Sequence, residues 1–95
     1  MALLDLLGRR WSLRVLWELK GETLSFRELQ TRCDSMSPSV LNDRLAELRE
    51  ARIVDHGDGG YHLTADGRAL LRAFSPLNEW AKRWGRRRAR TMRTG

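Results

Sequence analysis

The sequence predicts a mainly α-helical domain with one small β-hairpin. Three observations carry that expectation. Several stretches place apolar residues at helical spacing behind Ser or Thr capping residues. Two short β-prone runs, residues 53–56 and 61–63, flank Gly57-Asp58-Gly59-Gly60, which reads as a hairpin turn. A three-residue turn, Asp34-Ser35-Met36, joins two helical stretches, and the second of these opens on Ser37-Pro38.

Leu3 to Leu7 forms a short apolar turn ended by Gly8. The next helix runs from Trp11 to Lys20, with Ser12 as N-cap, Val15, Leu16 and Leu19 at helical spacing, and Gly21 just past its end. Trp11 and Trp17 are expected in the core. Thr23-Leu24 reads as a very short strand. In the helix from Ser25 to Cys33, Ser25 and Glu28 form a capping box, Phe26 and Leu29 face inward, and Cys33 packs behind. The helix from Ser37 to about Ala51 is capped by Ser37, and Pro38 takes the first helical position, where its missing N–H costs nothing. Leu41, Leu45 and Leu48 line its inner face.

After the hairpin, Thr64 caps a last helix that runs towards Arg90. Its apolar residues Leu70, Phe74, Leu77, Ala81 and Trp84 alternate steps of four and three. Pro76 removes one backbone donor and is expected to kink this helix or divide it after Ser75. This order of elements is that of a winged helix-turn-helix with added N- and C-terminal helices, the hairpin being the wing.

A chain of 95 residues with 41% apolar content makes one modest core, and that rules out wholesale disorder. No apolar run is long enough to span a bilayer, and the first residues, which include Asp5, lack the pattern of a secretory signal. The single cysteine, Cys33, cannot form an internal disulfide and suits a reducing cytoplasm. The net charge is +6, but Arg86, Arg87, Arg88, Arg90 and Arg93 fall in the last ten residues, so the rest of the chain carries only +1. The division expected is a domain over 1–85 and a basic tail over 86–95. Such a tail suits a polyanion such as DNA, or is simply solvated.

The residues also carry a family pattern. The stretch Gly8-Arg9-Arg10-Trp11-Ser12-Leu13 resembles the Gly-Gly-Lys-Trp-Thr-Leu opening of HxlR-type winged-helix regulators. Residues 24–29 resemble their Arg-Phe-x-Glu-Leu segment, residues 37–48 their recognition helix, and residues 61–67 their Tyr-x-Leu-Thr-x-x-Gly; Glu79-Trp80 matches a Glu-Trp near the end. The resemblance covers about residues 5 to 85. It implies a bacterial, cytoplasmic, nucleoid-associated homodimer that regulates transcription by binding double-stranded DNA, with the helix from Ser37 reading the duplex and the first and last helices pairing. The sequence departs from the family in three ways. Its wing tip is short and acidic, the frequent cysteine ahead of the Trp helix is absent, and the basic tail is longer.

With Leu41, Leu45 and Leu48 inward, a step of about 100° per residue turns Ser39, Asp43, Ala46 and Glu50 outward, with Val40 and Asn42 on the flanks. Ser39 and Asn42 can reach base edges, Val40 can pack on a thymine methyl, and Asp43 can accept from a cytosine amino group. The free N–H groups of the stretch Ser37 to Val40, in which Pro38 has none, favour a phosphate together with the helix dipole. In the preceding helix Ser25 and Arg27 are candidate phosphate contacts, Ser25 also being a cap. For Arg44 two roles are open, a DNA contact or a pair with a carboxylate. Leu3, Leu4, Leu7, Leu77, Trp80 and Trp84 offer more apolar surface than one body can cover, which points to a two-fold dimer with recognition helices about 34 Å apart.

Catalysis is not expected, because no nucleophile–base set, phosphate loop or carboxylate pair is present. His56 and His62 lack a third well-spaced ligand, so no metal and no cofactor is expected. An effector is unknown. Any ligand would bind between helices, near the dimer interface. The alternative reading is a winged-helix module for protein–protein contact, which the acidic wing and nearly neutral body favour.

Overall fold

A computed structural model describes residues 3–94, with side chains over residues 3–88. The elements are α1 (Leu3–Leu7), α2 (Ser12–Glu18), α3 (Phe26–Arg32), α4 (Pro38–Glu50), β1 (Val54–Gly57), β2 (Gly60–Leu63) and α5 (Ala65–Thr94). This is the predicted architecture, mainly helical with one two-stranded antiparallel hairpin.

The centre of the fold is α2, which contacts α1, α3, α4 and α5. Its Val15 and Leu16 are fully buried. Around them Leu6, Leu19, Leu24, Leu29, Cys33, Leu41, Leu45, Leu48, Val54, Leu63 and Leu71 complete one apolar core. The hairpin pairs Val54 with Leu63 and Gly57 with Gly60, so only Asp58 and Gly59 form its loop. Leu24 bridges to Tyr61 as a third strand, one residue long, and this ties the wing to the entrance of α3. Gly60 is required there. Its φ is +126°, and a Cβ would lie 2.5 Å from the Leu24 carbonyl oxygen.

Several helix ends differ from expectation. Ser12 does not cap α2. Trp11 takes the N-cap place in a left-handed conformation (φ 77°), and Ser12 is the first helical residue, fully buried, with no partner for its hydroxyl. The helix ends at Glu18, before Lys20, and Gly21 follows at φ +71°. Trp17 is not a core residue. It is exposed, and the Lys20 ammonium lies 4.9 Å from the centre of its ring. Pro76 does not divide the last helix, because α5 continues through it from Ala65 to Thr94. Thirty residues at 1.5 Å each span about 45 Å, and this helix accounts for the 52 Å long axis of the molecule.

The capping box of α3 forms as expected, with Glu28 N–H donating to Ser25 Oγ and Ser25 N–H donating to the Glu28 carboxylate. Thr64 caps α5, its hydroxyl accepting from Gly67 N–H and donating to the Arg52 carbonyl.

Candidate nucleic-acid interface

The helix-turn-helix consists of α3, the turn at 33–37 and α4. No glycine ends α3. Instead Asp34 and Ser35 both take left-handed conformations (φ 59° and 55°), and Ser35 N–H donates to the Gln30 carbonyl at 2.8 Å. That contact, from the second residue past the cap to the third carbonyl back, is a Schellman closure built without glycine. Gln30 Nε2 donates to the Met36 carbonyl and fixes the other side of the turn. The end of α4 repeats the device. Arg52 is left-handed (φ 60°), while Ile53 N–H reaches the Leu48 carbonyl and Arg52 N–H the Arg49 carbonyl.

In α4, Leu41, Leu45 and Leu48 are buried, while Ser39, Asn42, Asp43, Ala46 and Glu50 are exposed and Val40 is half-buried. Ser37 stands at the N-cap position but makes no capping bond, contrary to expectation. Its Oγ lies 3.0 Å from Ser39 Oγ. Ser37 therefore leaves the first N–H groups of α4 without its side-chain cap, in an exposed stretch that carries two hydroxyls.

Of the residues singled out in α3, Ser25 is half-buried and engaged in the capping box, while Arg27 is exposed. The Ser25 amide and hydroxyl hold the Glu28 carboxyl below its ordinary range. Arg44 stands apart from the other candidates. It is half-buried, and Nη1 lies 3.1 Å from Glu47 Oε1, the carboxylate pairing that the sequence left open. Glu47 is the residue that sequence reasoning missed. Its Oε2 lies 3.0 Å from Arg9 Nε, a contact between distant parts of the chain that no local spacing reveals.

The wing is exposed at Asp55, His56, Asp58 and Gly59. His56 stacks on Tyr61 at 4.3 Å between ring centres. Asp55 accepts from the amide of its neighbour His56 at 2.8 Å. Among the described residues no group of three or more His, Cys, Asp or Glu stands together to hold a metal ion. Cys33 is fully buried, and that burial raises the pKa of its thiol.

A second group of residues is apolar and exposed, on α1 and α5. Leu4 is 80% exposed and Leu77 57% exposed, and Leu3, Trp80 and Trp84 are exposed as well; Leu7 is half-buried against the core. The Trp80 and Trp84 rings stack at 6.1 Å, and the Arg88 guanidinium sits 5.0 Å over Trp84. Arg86, Arg87 and Arg88 are exposed on the continuation of α5; the side chains of Arg90 and Arg93 lie outside the described residues. Among the described residues no helix is long and apolar enough to cross a membrane.

Comparison with known proteins gives this geometry a context. The uncharacterised HTH-type transcriptional regulator YvaP of Bacillus subtilis is 28% identical over 87 residues, covering 84% of this chain and 81% of its own. The quinone-bound structure of YodB from the same species superposes with a TM-score of 0.77 at 32% identity, over 83% of this chain and 90% of that one. A structure from Enterococcus faecalis, described as a MarR-family transcriptional regulator, gives a TM-score of 0.80 at 30% identity, over 92% and 86% of the two chains. The sequence pattern of the HxlR-like helix-turn-helix matches residues 6–89. With nearly the whole chain covered, and with two helices, a wing and flanking helices arranged as described, the protein belongs to the HxlR-like helix-turn-helix family of transcriptional regulators.

Proposed function

We propose that the protein is a sequence-specific transcriptional regulator that binds duplex DNA as a homodimer and reads it with α4. The observation that carries this reading is the division of α4 into a buried leucine face and an exposed face of short polar side chains. Ser39 and Asn42 offer hydrogen bonds to base edges, Val40 an apolar contact to a thymine methyl, and Asp43 an acceptor for a cytosine amino group. The N–H groups of α4 that Ser37 leaves uncapped suit a phosphate oxygen. Arg27 and the Ser25 edge of α3 suit phosphates alongside. Arg44, already paired with Glu47, supports α4 and does not touch DNA in this reading.

The apolar strip of Leu3, Leu4, Leu7, Leu77, Trp80 and Trp84 is the pairing surface. The exposed Arg86–Arg88 run adds sequence-independent affinity through phosphates. One observation favours a second reading, a protein-binding module. The wing presents Asp55 and Asp58 where a phosphate contact would need a base.

Asn42→Ala separates the two readings. DNA reading predicts a loss of about 1–3 kcal/mol on the preferred fragment and almost none on unrelated DNA. Equal losses on both, or no preferred fragment at all, would reject it.

A further inference from the structure

Arg9, Glu47 and Arg44 form an ionic cluster that neither base reading nor pairing uses. Arg9 lies in the turn between α1 and α2, and Glu47 lies in the third turn of α4. The two carboxylate oxygens are divided between two cations: Oε2 lies 3.0 Å from Arg9 Nε, and Oε1 lies 3.1 Å from Arg44 Nη1. The side chains of Arg44 and Glu47 are only 13% and 18% exposed, against 49% for Arg9. The buried Arg44 Nε and Glu47 Oε2 have no aligned hydrogen-bond partner, so the cluster is held by charge.

A half-buried ion pair contributes little net stability, since desolvation offsets most of the attraction. It does disfavour other placements of the two elements, because separating them takes the cation from Glu47 Oε2, which has no aligned hydrogen-bond partner, and leaves the carboxylate to Arg44 alone. Here the two elements are the helix proposed to read DNA and the turn directly behind α1, part of the proposed pairing surface.

We propose that Glu47, held between Arg9 and Arg44, is a positioning residue that ties α4 to the α1–α2 turn, so that the pairing of two copies sets where their recognition helices meet the duplex. This rests on the reading of α4 given above. It assigns Arg44 to support and makes sequence preference depend on two residues that touch no base.

The sign of one substitution tests it. Glu47→Gln removes a negative charge, so electrostatics alone makes the protein bind any DNA as tightly or more tightly. The tie predicts the opposite on preferred DNA. On a fragment selected by the wild-type protein from a random pool, Glu47→Gln and Arg9→Gln should each weaken binding about tenfold, a coupling expected of directly interacting groups. The double variant should be no weaker than the worse single one. On an unrelated fragment of equal length Glu47→Gln should bind no more weakly than wild type. Hydrogen exchange in the free protein supplies a readout that needs no DNA. Amides of α4 should exchange faster in both variants while those of α3 do not change. The proposal is overturned if Glu47→Gln keeps its preference, if both fragments are lost in parallel with a fall in melting temperature, or if α4 exchange is unaltered. A wild-type protein that selects no sequence contradicts the reading of α4 instead, and the exchange result then decides the tie alone.

Discussion

A Cβ at Gly67 would sit 2.2 Å from the carbonyl oxygen of Ile53 and 3.3 Å from Ile53 Cγ2. The first turn of α5 therefore lies directly on the backbone that links α4 to the wing, an approach only glycine permits. Thr64 completes the joint, because its hydroxyl donates to the Arg52 carbonyl and its amide to the Ile53 carbonyl. Gly67→Ala is expected to destabilise the fold by about 1–3 kcal/mol through forced displacement of α5. Thermal unfolding should register a drop of several degrees, since 1 kcal/mol shifts a domain of this size by about 4–8 °C. An unchanged melting temperature would show that the joint yields freely.

Among the helices, α3 and α4 were the most legible in the sequence. Ser25 and Glu28 stand at capping-box spacing, and the box forms. Its hydrogen bonds favour the charged carboxylate, so Glu28 titrates lower in the folded chain than in the unfolded one. A lowered carboxyl pKa contributes stability that is complete above the unfolded value of about 4.3 and is lost as the pH falls through the folded value. The stability difference between wild type and Glu28→Gln should accordingly shrink as the pH is lowered from neutral into the acid range. A difference that stays constant would mean that the charge of Glu28 plays no part.

The inward leucines of α4 were legible for the same reason as the box, since both are local patterns. The misreadings arose where tertiary contacts override local chemistry. Ser12 looks like a cap, but the chain buries it beneath the core and gives its place to Trp11. Pro76 does not divide α5, which runs on to Thr94, so of the two outcomes expected of it the division is the one that fails. The left-handed Asp34, Ser35 and Arg52 carried no glycine to announce them. The Arg9–Glu47 contact could not be read at all, because it depends on how two remote segments pack.

The proposal gives the whole molecule two surfaces with separate tasks: the polar face of α4 for DNA, and the exposed apolar residues of α1 and α5 for pairing. An exposed strip holding two tryptophans and three leucines is costly to leave in water, at about 25 cal/mol for each Å². Sedimentation equilibrium at micromolar concentration should therefore find a dimer, and Leu77→Asp should shift it towards monomer. A wild-type monomer under those conditions would refute the pairing surface. If two copies pair by that strip and each reads with α4, the preferred site must share their two-fold symmetry. Selection of bound duplexes from a random pool tests this directly. The account predicts an enriched inverted repeat whose half-sites are centred about 10 base pairs apart, or a multiple of that spacing. Recovery of no enriched sequence, or of a single unpaired half-site, would contradict it.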